Sequence, residues 1–450
     1  MVNNMQISKY ITFVPFAKFN LWDTKRYTSK LISSTFPIVS LDSCIVEQSK
    51  KYKIFEDLET DFGILGVNNK DGIFDAYSQK GKEINQPYKK METGWLAYNP
   101  YRINVGSIGI KLKEHQNNYI SPAYVVFSCK ENLLPEFLFF LFKTTIFNKI
   151  INESTTGSVR QNLTFETLKN LQIPLPTLEE QNRIVASYNA KLQLAQQQEQ
   201  KAKTLEIEIE RYLFEELGVE HKKDSYEKKI GSFLKIYKYS EFDKWGANQN
   251  NSNKIISNNS FELKKIKDIC TVSSGGTPSR ERKEYYKGTI PWIKTGEVVN
   301  DIIYDTEEKI TIEAIENSSA KIYPKDSLII AMYGQGATRG RTAKLGIDAS
   351  TNQACAVLFN IDNSVILTDY LWLYLMGEYD RMREMASGNN QPNLNAQMLK
   401  DYNVIIPPFE IQTKIINTIN SIKAKINELN VLSATNKEVA IVEFEKEIFN

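Results

Sequence analysis

Leu171-Gln172-Ile173-Pro174-Leu175-Pro176-Thr177-Leu178-Glu179-Glu180-Gln181-Asn182-Arg183-Ile184 returns later in the chain as Tyr402-Asn403-Val404-Ile405-Ile406-Pro407-Pro408-Phe409-Glu410-Ile411-Gln412-Thr413-Lys414-Ile415, at a constant offset of 231 residues. A short apolar run, a proline break and a Pro-x-x-Glu-x-Gln helix start are therefore written twice. Outward from this stretch the same offset holds for Gly157/Gly388, Asn162/Asn393, Leu163/Leu394, Leu168/Leu399 and Lys169/Lys400, and farther upstream for Ala123/Ala354 and Val126/Val357. It drifts only to 223 at Phe19/Phe242 and Trp22/Trp245, and to 225 at Phe36/Phe261. A solenoid unit recurs every few tens of residues, so a period this long is a duplicated domain. Duplication within one chain implies a pseudo-twofold protein suited to a target with two related halves.

Both copies end in a long helix. In the first, Thr177-Leu178-Glu179-Glu180 fits a capping box, and no Gly or Pro interrupts the chain from Leu178 to Leu217. At roughly 1.5 Å per residue that is a rod of about 58 Å. In the second, Ile415, Ile419, Ile422, Ile426 and Leu429 step by 4, 3, 4, 3, a heptad seam. The first rod carries the same steps at Ile184, Tyr188, Lys191, Ala195, Gln198, Ala202, Leu205, Ile209 and Tyr212. Lys191 and Gln198 weaken that seam, because polar seam residues bury less apolar surface. The expected solution is that the two rods pack on each other as a coiled coil, with packing of each rod on its own domain as the alternative.

Upstream of each rod the plan repeats. An aromatic lead-in and a polar linker, clearest at Asn248 to Ser260, precede β-branched runs punctuated by Gly, Asn and Pro, such as 63–70 and 328–334. These read as strands and loops. A helical segment follows, Glu136 to Ile150 and Asp369 to Met385. The fold expected is mixed α/β, with two tandem domains in pseudo-twofold arrangement.

The 450 residues carry 56 Lys+Arg against 54 Asp+Glu, a net charge of +2. Any nucleic-acid footprint must therefore be local. Cys44, Cys129, Cys270 and Cys355 lie far apart with no CxxC pair, and His115 and His221 are the only histidines. Disulfide, zinc and Ser/His/Asp chemistry have little material here. The N-terminus does not read as a signal peptide, and the most apolar run, Leu133 to Phe142, is too short to span a membrane, so a cytoplasmic protein is expected.

Enzyme motifs fail on single residues. Ile406-Pro407-Pro408-Phe409 is similar to the Asn/Asp-Pro-Pro-Tyr/Phe loop of amino-methyltransferases, but Ile406 offers no side-chain acceptor. Asn99-Pro100-Tyr101 lacks the second proline. The segment 334–342 has Arg341 where a phosphate loop needs lysine, and its glycines are wrongly spaced.

What remains is binding chemistry. Tyr333 to Lys344 carries Arg339, Arg341 and Lys344 with no acid before Asp348, among glycines that allow close backbone approach. Arginine can bond guanine edges or phosphates, and Gln or Asn can bond adenine; Gln335, Asn352 and Gln353 are close in sequence. The first copy offers Tyr98 to Ser107, with Tyr98, Arg102 and Asn104 as candidates. A second matched pair of amide-rich turns contributes Arg160 and Gln161 in one copy, Gln391 and Asn393 in the other. An exposed basic hairpin without a partner, and turns that only cap backbone groups, are the competing readings.

Gly275-Gly276-Thr277-Pro278-Ser279, Ile290-Pro291-Trp292-Ile293, Ala331 to Gly340, Thr351-Asn352-Gln353-Ala354, Asn390-Gln391-Pro392-Asn393-Leu394 and the doubled Pro-x-x-Glu-x-Gln start resemble the specificity subunit of type I restriction-modification systems. The likeness is strong in the second half. In the first, Val67 to Phe74 and Trp95 to Tyr101 depart from the glycine-threonine-proline pattern, which suggests a different type of target-recognition domain. The resemblance implies target-recognition domains at 1–177 and 219–408, with a central rod at 178–218 and a C-terminal rod at 409–450 that pack as an antiparallel coiled coil. It implies a non-catalytic chain that binds double-stranded DNA at a bipartite site, with the rods setting the spacer. It further implies docking of two modification (methyltransferase) subunits and of ATP-dependent restriction subunits. S-adenosylmethionine, ATP and Mg would then sit on those partners, and none on this chain.

Overall fold

A computed structural model describes residues 32–154, 162–219, 261–334, 336–386 and 393–449. The aromatic lead-ins and the 248–260 linker lie outside them. The chain divides into two compact units, Met1–Glu199 with Asn430–Asn450, and Gln200–Leu429. The division falls inside both long helices. Each unit thus owns the first half of one rod and the second half of the other, a partition different from one cut at the rod starts.

The first unit runs β1 (Ile38–Ser40), β2 (Ile45–Glu47), β3 (Lys51–Tyr52), β4 (Asp61–Asn68), β5 (Gly72–Lys80), β6 (Tyr88–Lys90), β7 (Leu96–Tyr98), β8 (Ile108–Ile110), β9 (Tyr119–Ile120) and β10 (Val125–Cys129). Helices α1 (Pro135–Lys143), α2 (Thr145–Ser154) and α3 (Phe165–Lys169), then β11 (Gln172–Pro174), lead into the rod α4 (Leu178–Glu216). The second unit runs β12 (Glu262–Lys265), α5 (Ile266–Ile269), β13 (Thr271–Ser274), β14 (Ile290–Ile293), β15 (Ile302–Ile303), β16 (Glu308–Ile310), α6 (Ile312–Glu316), β17 (Leu328–Ala331), β18 (Thr342–Leu345), β19 (Ser350–Thr351) and β20 (Cys355–Phe359). It closes with α7 (Thr368–Gly377), α8 (Tyr379–Ala386), α9 (Ala396–Lys400), β21 (Asn403–Ile406) and the rod α10 (Phe409–Phe449).

The duplication extends to topology. The main sheet is ordered β2-β10-β7-β8 in the first unit and β13-β20-β17-β18-β15 in the second. A two-stranded ribbon, β1-β11 or β12-β21, precedes each rod. In each unit the short strand after the β7-β8 or β17-β18 hairpin joins a second sheet in parallel, β9 on β4 and β19 on β14. Those second sheets differ, with five strands in the first unit and three in the second. The first four strands of the main sheet keep one order in both units, with β15 added at the edge of the second, and the second sheet diverges.

Each helical segment expected as one piece is two helices. In the first unit the break is Thr144, whose hydroxyl donates to the Leu141 carbonyl and accepts the Phe147 N–H. In the second it is Glu378, wholly buried beside Arg381 and Tyr402. Both breaks let the second helix turn away while its apolar residues stay inside. Phe137, Leu141 and Phe147 share a core with Leu96, Phe127, Ile184, Tyr188 and Phe444. Tyr370, Leu371 and Tyr374 share one with Leu213, Phe214, Ile415 and Ile419.

The repeated glutamine joins these layers. Gln181 is fully buried; its Oε1 accepts the Leu134 N–H at the start of α1, and its Nε2 donates to the carbonyls of Pro176 and Asn132. Gln412 does the same with the Leu367 N–H at the start of α7 and the carbonyls of Pro407 and Val365. Thr177 accepts the Glu180 N–H as an N-cap, but Glu180 turns outward to Arg183 instead of completing the box.

The rods pair antiparallel within each unit. In the first, Ile184, Tyr188 and Ala195 are buried along with Ala440, Phe444 and Ile448, and Arg183–Glu447, Lys191–Glu443 and Glu199–Lys437 bridge the pair. The two seam positions that looked weak acquire partners from the opposite rod: Lys191 pairs with Glu443, and Gln198 accepts from Asn436 Nδ2 at 2.9 Å. In the second unit Tyr212 donates to Thr418, and Lys414 pairs with Glu216.

Gln412→Ala leaves a buried N–H and two carbonyls unsatisfied, at a cost of about 1–3 kcal/mol. A urea titration should show that loss, while Asn417→Ala on the exposed face of the same rod stays within about 0.5 kcal/mol of wild type.

Candidate nucleic-acid interface

The β7-β8 and β17-β18 hairpins occupy the same place in the two sheets, with Tyr98 opposite Ile108 and Ile330 opposite Thr342. The first loop, 99–107, is shaped by Asn99. Its side-chain carbonyl accepts the Tyr101 N–H and its backbone carbonyl the Arg102 N–H, while its own N–H reaches the Ser107 carbonyl. This turn leaves Tyr101 56% and Val105 57% exposed, with Arg102 beside them on the surface. Asn104 is half-buried, and its carbonyl accepts from Asn148 Nδ2 at 3.4 Å.

The second loop, 332–341, is closed by Ala331 N–H to Arg341 O and Gly340 N–H to Ala331 O, both 2.9 Å. Tyr333 is exposed, and Arg339 and Arg341 are half-buried. The residue that follows each amide-rich stretch is bonded to the loop at a matching position. Leu163 N–H reaches Pro100 O, and Leu394 N–H reaches Met332 O, which places half-buried Asn393 next to the second hairpin. Arg160, Gln161, Gln335 and Gln391 lie outside the described residues.

Two candidates are corrected. Tyr98 is a core residue with no exposed surface; its hydroxyl donates to the Leu163 carbonyl and burial raises its pKa. It ends a strand whose three residues are all buried, so it supports the loop from below. Lys344 lies on β18 with its ammonium bonded to Asp369 at 2.7 Å and Asp326 at 3.2 Å. Burial works against that charge, yet the two carboxylates outweigh it and hold the pKa above the ordinary lysine value. Its charge is spent inside the protein.

Residues that the sequence did not single out include Tyr101, Val105 and Tyr304, the last 67% exposed. Their only sequence signal is an aromatic or apolar side chain in a polar loop. By contrast, the Gly275-Gly276-Thr277-Pro278 motif is packing. A Cβ on Gly276 would sit 2.3 Å from Ala320 N, the Gly276 carbonyl accepts from Trp292 Nε1, and the Pro278 carbonyl accepts from the Tyr286 hydroxyl. Arg280 stacks over Tyr286 and Trp292 and pairs with Glu308. The loop is sewn down by its own domain.

Burial pushes the thiols of Cys129, Cys270 and Cys355 up to about 12, which removes them as nucleophiles near neutral pH. Among the described residues no group of three or more His, Cys, Asp or Glu is arranged to hold a metal ion, and no helix is long and apolar enough to cross a membrane. On the two hairpins Tyr101, Arg102 and Tyr333 are exposed and Arg339 and Arg341 half-buried, side-chain types able to contact nucleic acid.

The model of the type I restriction modification DNA specificity domain matches residues 76–206 and 258–436, both halves of the chain. The specificity subunit of the type I restriction enzyme MjaIX of Methanocaldococcus jannaschii is 31% identical over 167 residues, 36% of this chain and 37% of that protein. The HindI specificity subunit of Haemophilus influenzae is 23% identical over 382 residues, 74% of this chain and 82% of its own. A solved chain described in work on complex assembly and conformational transition of the type I R-M system shares the fold with a TM-score of 0.60, at 16% identity, over 92% of this chain and 98% of that one. The repeated frame and the doubled family match together place this chain in the type I restriction-modification DNA specificity family, as a specificity subunit.

Proposed function

We propose that the chain reads a bipartite double-stranded DNA site, each unit contacting one half-site through its β7-β8 or β17-β18 hairpin. The observation that carries this is the placement of Arg102 with Tyr101, and of Arg339 and Arg341 with Tyr333, on hairpins at equivalent positions of two sheets whose first four strands follow the same order. The chain is the non-catalytic member of its assembly. Two modification subunits and the ATP-dependent restriction subunits bring S-adenosylmethionine, ATP and Mg, and the complex works in the cytoplasm. Support for protein partners comes from the family to which the chain belongs.

The purified chain with its modification subunits should enrich a bipartite sequence from a randomised duplex library, and enrichment of none would refute the reading. In that complex Arg341→Ala should lower the slope of log affinity against log salt by about 0.9, the value of one phosphate contact. Lys344→Met should leave the slope unchanged, since Asp326 and Asp369 already hold that ammonium.

On this reading the length of the rods sets the spacer. Inserting four residues in α4 and a matching four in α10 adds about 6 Å of helix, close to two base pairs at roughly 3.4 Å each. The enriched spacer should lengthen accordingly with unchanged half-sites; altered half-sites at constant spacing would contradict the ruler.

A further inference from the structure

A glycine-rich loop that reads DNA needs something to hold its shape, since glycine backbones are the least constrained in the chain. In the 332–341 hairpin Gly336 and Gly340 have φ of 61° and 86°, and strand pairing ends at Ala331 and Thr342. The carbonyls of this loop are not left to solvent. Arg383 on α8 places Nη1 2.9 Å from the Gly336 carbonyl and 3.0 Å from that of Arg339, and the Tyr379 hydroxyl donates to the Ala337 carbonyl at 2.7 Å. The fit extends to carbon, because a Cβ on Gly340 would lie 3.2 Å from Arg383 Cγ.

The helix that carries these donors is itself anchored. Arg381, nearly buried, bonds Glu378 at 2.9 Å and lies over the Phe214 ring of α4 at 5.0 Å, and Tyr402 donates to the second Glu378 oxygen. The first unit achieves the same end with different side chains. Asn148 on α2 donates to the Asn104 carbonyl, and Lys143, at the end of α1, to the Gly106 carbonyl, each at 3.4 Å. Two unrelated loops are thus gripped from the same helical side, by backbone carbonyls that carry no base information.

We propose that α8 is a positioning element for DNA reading, with Arg383 and Tyr379 holding the 332–341 backbone in the conformation from which its arginines meet the half-site, and with Asn148 and Lys143 serving the 99–107 loop in the same way. This rests on the hairpins being the reading elements. Arg383 acts through the loop carbonyls and touches no base.

The test uses the full complex with its modification subunits and the randomised duplex library, comparing wild type with Arg383→Ala, Arg383→Lys and Tyr379→Phe. Arg383→Ala should lose about tenfold in preference at the half-site read by the second unit, keep the other half-site, and keep the wild-type salt slope. Arg383→Lys, able to bond one carbonyl, should recover part of that preference, and Tyr379→Phe should show a smaller loss at the same half-site. In the free chain, hydrogen exchange of amides 336–340 should quicken in Arg383→Ala and not in the body of the main sheet. An unchanged half-site preference in Arg383→Ala overturns the positioning role. A slope reduced by about 0.9 makes Arg383 a phosphate contact instead, and equal loss at both half-sites makes it a general structural residue; either also overturns it. Failure of the wild-type complex to enrich any bipartite site would instead remove the DNA-reading function beneath the proposal.

Discussion

A buried carboxamide is the constraint on which each half of this protein depends. Gln181 and Gln412 each bond the amide that opens a core helix and the carbonyls of the proline-ended strand and of the turn before that helix. Strand exit, core helix and rod start are fixed together by one side chain. Its donors and acceptors have no access to water, so any drift of the rod origin would leave buried polar groups unpaired. This explains why the glutamine recurs in a chain whose appended sheets have diverged.

Above that base the two units are the same machine with different working parts. The first four strands of the main sheets share their order, the ribbons share pairing, and Leu163 and Leu394 tether equivalent hairpins. The hairpins themselves differ in residues, and the second sheets differ in strand number. A near-neutral chain fits this plan. Lys344, Arg280 and Arg183 are each paired with carboxylates of the chain itself.

The rods, the duplication and the hairpin positions were legible in the sequence because they depend on local periodicity and on a repeated offset. Ile184, Tyr188, Ile415 and Ile419 sit on the seam where the 4, 3 spacing places them. Tyr98 and Lys344 differ from expectation because their strands are covered on both faces, and polarity in the flanking loop does not show that a strand-end residue is enclosed. Asp369 and Asp326 stand 25 and 18 positions from Lys344, so only the fold reveals that its charge is spent. The breaks at Thr144 and Glu378 rest on bonds made by those two side chains rather than on proline, and the clasp of Arg383 on loop carbonyls is a backbone contact that no side-chain pattern encodes.

Hydrogen exchange of the assembled complex, with and without the DNA it enriches, tests the central claim most directly. The account predicts new protection at both 99–107 and 332–341, with the amides around Gln181 and Gln412 protected equally in either state. Bound DNA that leaves both hairpins exchanging as fast as in the free complex would contradict it.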